Sequence, residues 1–462
     1  MERLFHLIEI AEKQKLWKPI KLAKKGPPLT YLAFADDLIF FSEASVEQVE
    51  IIKTCLDLFC TSSRIKVSQE KTKVCFSKNV GWNVKTELSS LLGYQRTDDL
   101  GKYLGVQLHH KRVSKRSLQS MMDHINKRLS KWKANTLSFA GRLTLSKSVL
   151  ATLPTYTMQT VYFPKQCCDE LDRACRSFLW GDSSNHRCVH AVAWETICKP
   201  KDSRGLGVKE ARKVNTCYMM KNCWNICSQP NLLWLCVIRS KYGCGDEDIP
   251  LIHKRVVASN FWRGICAAWV KVEQSLAWSL AWSLGDGKTI KFWADRWLPS
   301  KVVLIDVTTG PISIDLLKKT VADYTREDGS WNLEGIHDLI PSSCWNELKG
   351  TAPPSTDNDG DCLVWGGSNN GVFSMKSAYE ALRTSAPSNL KNLFSLIWRW
   401  PGPEHIRCFL WRIAHNSLCT NDWRLSRSLT YDASCKICHA DRETCIHILR
   451  DCDFSRKCGV QS

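Results

Sequence analysis

The sequence predicts an α+β protein, and three observations carry that prediction. Runs rich in aromatic and β-branched residues flank Asp36-Asp37 near the N-terminus, helical spacing dominates from about residue 114 to 227, and cysteines with metal-ligand spacing gather near the C-terminus.

Taken in order, residues 1–16 form an amphipathic helix with Leu4, Ile8 and Ala11 on one side, and Gly26-Pro27-Pro28 ends the connection after it. Tyr31 to Ser42 reads as a hairpin with Asp36 and Asp37 at its tip. Adjacent carboxylates there put oxygen ligands where a divalent metal could be held, and the same pair also suits an ordinary surface turn. Val46, Val49, Ile52, Leu56 and Phe59 recur at helical spacing over residues 46–62. Arg64 to Ser77 is a turn leading into a strand, and Tyr103 to Leu108 is a short strand with a glycine inside it.

A basic helix follows over residues 114–130, then one from Ser138 to Leu150 ended by Pro154, then helices over 169–180 and 208–227. The tandem Ser275-Leu-Ala-Trp278 and Ser279-Leu-Ala-Trp282 would set both tryptophans on one helix face. Gly285 to Trp293 reads as a hairpin turning at Asp286-Gly287. Residues 300–360 are weakly patterned and hold Pro353-Pro354 and a polar run over 355–361, which predicts the main domain boundary there. A compact unit then runs from Val364 to about Cys452.

Composition narrows the function. The 462 residues are enough for two to four domains, and 44% hydrophobic with 24% charged residues is ordinary for a globular protein. The formal net charge of +18 points to a polyanionic partner, nucleic acid first, although a general solubility charge reads the same way. The 20 tryptophans suit base stacking beside lysine and arginine as well as core packing. No run approaches a membrane span and the N-terminus lacks the order of a secretory signal, so no membrane is expected. The 23 cysteines are scattered without a disulfide framework, which predicts an intracellular, reducing setting where clustered cysteines mean metal.

One such cluster stands out. Cys435, Cys438, His447 and Cys452 give a Cys-x2-Cys-x8-His-x4-Cys spacing. Three thiolates and an imidazole complete a closed tetrahedral Zn²⁺ shell, a structural site. A redox pair or unligated thiols would fit the same letters, and His439, Cys445 or Cys458 could substitute for a ligand. The lead-in Trp398, Arg399, Trp400, Arg407, Trp411 and Arg412 suits a nucleic-acid backbone with stacked bases, or simply the core of the preceding helices.

The order of motifs resembles the reverse transcriptases of plant non-LTR (LINE-type) retrotransposons. Phe34-Ala-Asp-Asp37, then Val67-Ser-Gln-Glu-Lys71, then Tyr103-Leu104-Gly105 is similar to the series in their palm. The resemblance implies that Asp36 and Asp37 ligate Mg²⁺, that Lys71 lies near the incoming triphosphate, and that Tyr103, Leu104 and Gly105 grip the primer. Later stretches fit the same family: Leu137 to Leu150, Phe178-Leu-Trp-Gly181, Gly205-Leu-Gly207, Gly285 to Trp297, Val372 to Tyr379 and Arg407 to His415. The cysteine cluster resembles the zinc-binding domain of these proteins.

The resemblance divides the chain into a partial palm over 1–110, a helical thumb-like and connection region over 111–230, a connecting region with a Trp-rich β-hairpin over 231–360, and a zinc-binding domain over 361–455. It implies RNA-directed DNA polymerase activity on an RNA template and DNA primer. The family's third palm carboxylate and its fingers would precede Met1, and its ribonuclease H domain, where present, would follow Ser462. The expectation is therefore an N-terminally truncated, inactive polymerase fragment with no small-molecule substrate, or else a zinc-dependent nucleic-acid-binding module or inert relic.

Overall fold

The computed structural model describes residues 1–109, 112–131, 136–182, 187–245, 249–272, 280–300, 302–326, 328–355, 359–383, 391–439 and 442–459. It is 49% helical and 7% strand, with the named strands in two-stranded pairs, and is an α+β chain. No described helix is long and apolar enough to cross a membrane. The residues fall into two compact units, each drawn from non-contiguous stretches. One comprises Met1–Arg112, Gln159–Tyr162 and Thr216–Ala381, the other Val113–Met158, Phe163–Asn215 and Leu382–Ser462.

The first unit holds two of the apolar cores. Helix Glu2–Lys13 buries Leu4, Ile8 and Ala11, the face its sequence spacing marks, against Cys55, Leu56 and Phe59 of helix Val46–Ser63. Ser45 caps the second helix by accepting from the Gln48 backbone N–H. The Gln48 side chain is buried because it has work to do there: it donates to the Leu16 carbonyl at 2.7 Å and accepts from the Lys18 N–H at 2.8 Å. Strand Tyr31–Phe34 pairs antiparallel with Asp37–Phe40, in the hairpin the sequence predicts, and lays Tyr31, Leu38 and Phe40 on this core.

The second core comes from residues 290–348, which show little pattern in the sequence. Phe292, Trp293, Trp297, Tyr324, Ile336 and Leu348 cluster there, with the Trp293 indole N–H donating to the Tyr324 hydroxyl at 2.9 Å. Short helices and turns build it, so its apolar residues follow no fixed period.

Three local expectations are corrected. Tyr103 to Leu108 is a tight hairpin, Lys102–Tyr103 against Val106–Gln107, because Leu104 and Gly105 both take positive φ (+49° and +80°). Residues 285–290 form no hairpin. Their backbone N–H groups wrap the Asp361 carboxylate instead, with Gly285 and Gly287 donating to Oδ1 at 2.9 and 3.0 Å and Thr289 and Ile290 to Oδ2 at 2.9 and 3.3 Å. N–H groups committed to a side chain cannot build a ladder. Finally, Leu280–Ser283 is a strand paired antiparallel with Cys362–Trp365, so the second copy of the Trp tandem is not helical. The first copy lies outside the described residues.

In the second unit, helix Phe139–Leu145, capped by Ser138, runs into a wider π turn over Ser146–Leu150. It packs with helices Lys165–Trp180, Lys391–Arg399 and Glu404–Ala414 around Leu143, Leu179, Phe394 and Trp411. The basic helix predicted over 114–130 is present as Gln119–Lys131 after a 3₁₀ turn.

Candidate metal centre

The cysteine-rich C-terminal segment folds around one point. Thr420 caps helix Asn421–Ser426 by accepting from the Trp423 N–H at 3.2 Å. Asn421, buried at the start of that helix, fixes the loops that follow. Its amide donates to the Ser434 carbonyl at 2.9 Å and to Glu443 Oε2 at 3.0 Å, and its backbone N–H donates to Glu443 Oε1 at 3.0 Å. Glu443 in turn donates its backbone N–H to the Ala433 carbonyl at 2.7 Å. Two loops separated in sequence are thereby closed on each other.

Cys435-Lys-Ile-Cys438 makes a tight turn, with the His439 N–H donating to the Cys435 carbonyl at 2.9 Å. His447 opens a π turn that runs to Asp451, its N–H held by the Thr444 hydroxyl at 3.1 Å, and Cys452 closes that turn by donating to the His447 carbonyl at 2.8 Å. One ligand atom from each of Cys435, Cys438, His447 and Cys452 lies within 4.8 Å of all the others. Cys435, His447 and Cys452 are buried and Cys438 is partly so.

The donor set fits Zn²⁺. With Zn–S near 2.3 Å and Zn–N near 2.0 Å, tetrahedral geometry places sulfur and nitrogen about 3.5 Å apart and two sulfurs about 3.8 Å apart. Cys438 Sγ and His447 Nε2 are 3.3 Å apart. The backbone N–H groups of Cys438 and Ile437, with the His447 and Cys438 side chains, lower the Cys435 thiol to about 7, which favours the thiolate a metal needs.

The alternative ligands separate cleanly. Cys445 is buried, its thiol donates to Asn416 Oδ1 at 3.1 Å, and burial pushes its pKa up. His439 is exposed, at a left-handed φ of +57°. The side chain of Cys458 lies outside the described residues.

Of the other sequence-marked residues, Asp36 and Asp37 sit exposed at the hairpin tip, where Ala35 takes φ +53°. Neither joins any group of three or more His, Cys, Asp and Glu ligand atoms among the described residues. Lys71 is exposed in a turn, and Tyr103, Leu104 and Gly105 make the small hairpin described above. Trp411 is core, with no exposed surface, and its indole N–H donates to the Arg204 carbonyl at 2.9 Å. Trp400 is 41% exposed. Sequence reasoning missed Asn421 and Glu443, because a polar residue that orients a loop 13 to 22 positions away carries no local signal.

The profile described as zinc-binding in reverse transcriptase matches residues 373–458, which contain the whole cluster. Fold and site therefore define a chain that carries the zinc-binding domain of reverse transcriptases. Two relatives extend the likeness. A protein of Arabidopsis thaliana named "Putative ribonuclease H protein" is 31% identical over 345 residues, 74% of this chain and 55% of that protein. An uncharacterized mitochondrial protein of the same plant is 30% identical over 153 residues, 33% of this chain and 96% of that protein. The chain belongs to a family of reverse-transcriptase-related retroelement proteins. It spans about half the length of the first of these relatives.

Proposed function

We propose that the chain is a segment of a LINE-type (non-LTR) retroelement reverse transcriptase, with a zinc-stabilised, nucleic-acid-binding C-terminal module. The convergence of Cys435, Cys438, His447 and Cys452 on one point carries this reading. These four residues would hold one Zn²⁺ in a closed shell, where the ion supplies folding energy to a small module. Asn421 and Glu443 hold the ligand loops in register, and the N–H groups of Ile437 and Cys438 favour the Cys435 thiolate. The surplus of 18 positive charges supports a nucleic-acid partner.

In this reading the Asp36-Asp37 hairpin descends from a polymerase palm, with Lys71 and Tyr103-Leu104-Gly105 as its companions. Two exposed carboxylates that, among the described residues, have no third ligand group beside them hold Mg²⁺ weakly, and in this reading the chain alone does not copy RNA into DNA. The palm, thumb-like, connecting and zinc-binding stretches bounded at 110, 230, 360 and 455 remain part of the proposal. Limited proteolysis with cuts near those positions would support them.

Elemental analysis of the purified chain should give about one zinc per chain. Zinc retained after Cys435→Ser plus Cys438→Ser sinks the site. Primer extension should show no incorporation, and robust synthesis abolished by Asp36→Asn would overturn the inactive reading.

A further inference from the structure

The loop from Lys199 to Gly207 closes on itself. The Gly205 N–H donates to the Pro200 carbonyl at 2.8 Å, Leu206 to Ile197 at 2.9 Å and Gly207 to Lys199 at 2.8 Å. A Cβ on Gly205 would stand 1.9 Å from the Lys199 carbonyl oxygen, so glycine is what lets the loop close. The Arg204 carbonyl accepts from the Trp411 indole N–H at 2.9 Å and from His415 Nε2 at 2.7 Å, which pins the loop to helix Glu404–Ala414.

This closure concentrates positive charge. Lys201 Nζ lies 3.3 Å from Glu404 Oε1 and 4.1 Å from the centre of the Trp398 ring. Arg407 Nη2 lies 2.8 Å from Glu404 Oε2. Lys147 enters the same cluster from the π turn over Ser146–Leu150, and its Nζ is 3.8 Å from where a Cβ on Gly207 would sit. Among the described residues Lys147 makes no salt bridge, and the one nearby carboxylate, Glu404, is already shared by Lys201 and Arg407. Burial first, and then Lys201, pushes the Lys147 amine down to about 8. Lys201 and Arg407 share the one carboxylate, and Lys147 beside Gly207 adds a charge that it does not pair, a surplus of two in a half-buried place. A further anion would offset that surplus.

We propose that Lys147, Lys201 and Arg407 form a seat for a phosphate of a nucleic-acid backbone, with Glu404, which pairs with Lys201 and Arg407, as the anion that competes for them. The site rests on the nucleic-acid reading above and adds where the strand is held. It contacts phosphate, so it sets position and affinity without reading sequence. A phosphodiester fits because its oxygens can accept from two ammonium groups and a guanidinium at once.

The test is binding of a fluorescein-labelled single-stranded 20-nucleotide DNA to the full chain across a salt series. Each of Lys147→Gln and Lys201→Gln should lower the slope of log K against log salt by about 0.7. Glu404→Gln should tighten binding at every salt concentration, a direction that general damage to the fold would not give. Lys349→Gln, whose ammonium sits over Trp345 in the other unit, should leave the slope unchanged. Wild-type binding with unchanged slopes in both cluster variants overturns the seat while leaving the nucleic-acid reading standing. A slope that falls as far in Lys349→Gln marks diffuse charge and also overturns it. A wild-type chain that binds no DNA overturns both readings. Zinc content and far-UV circular dichroism report folding, and if Lys147→Gln does not fold, Lys201→Gln and Glu404→Gln decide.

Discussion

The Asp36-Asp37 hairpin and the C-terminal cysteine centre are both marked in the sequence by metal-ligating residues, and the structure treats them in opposite ways. The hairpin offers two carboxylates from one turn, exposed, with Phe34 beside them 62% exposed. The cysteine centre draws four donors from a tight turn and a π turn and closes them on a point within 4.8 Å. Coordination needs ligands aimed from more than one direction and held there by other bonds. Asn421 and Glu443 do this for the cysteine centre. Ligand letters alone do not bring donors together, while convergent donors with support behind them make a candidate site.

Removing metal should separate the two regions most directly. Chelation of the purified chain should strip amide-exchange protection from residues 420–459 and leave residues 31–40 as they were. The expected effect is the largest here, since structural zinc contributes about 10–16 kcal/mol in zinc-finger peptides. Equal loss at both places, or at neither, would erase the distinction. Zinc uptake should also weaken as pH falls through about 7, where the Cys435 thiolate takes up its proton, because its lowered pKa favours the ligating form only above that point. Competition with a chelator at pH 6 and pH 8 measures it.

Smaller effects sharpen the contrast. Trp411→Ala, in the core of the second unit, should cost about 3–5 kcal/mol in denaturant unfolding, whereas Trp400→Ala, partly exposed, should cost far less. Asn421→Ala should cost about 1–3 kcal/mol and weaken zinc affinity, because it removes the donor to the Ser434 carbonyl and to Glu443 Oε2 while leaving the backbone bond to Glu443 Oε1. Asp36→Asn should sit at the bottom of the scale, within about 0.5 kcal/mol of wild type. A larger loss would mean that the exposed pair is held by something and would reopen its role.

The sequence made some of this legible and hid the rest, for physical reasons. Helices Val46–Ser63 and Lys165–Trp180 were readable because one face repeats at helical spacing and a cap or glycine ends each. The grouping of Cys435, Cys438, His447 and Cys452 was readable because thiolate and imidazole chemistry restricts the spacing of such donors. What stayed hidden depends on partners far along the chain. Leu280–Ser283 becomes a strand only against Cys362–Trp365, and residues 285–290 stay open because Asp361 takes their N–H groups. Leu104 concealed a hairpin, since leucine is not a residue that signals positive φ. The tryptophans were ambiguous because stacking on bases and packing in a core ask for the same side chain.

The Asp361 carboxylate also sets a clock. While the chain is being made, the N–H groups of Gly285, Gly287, Thr289 and Ile290 have no lasting acceptor until residue 361 leaves the ribosome. At about 5–20 residues per second that wait is roughly 4–15 s. The strand at Leu280–Ser283 waits just as long for its partner at Cys362–Trp365. These hydrogen bonds and this strand pair therefore cannot form before residues 361–365 are made, and until then the edge at Leu280–Ser283 lacks its native partner.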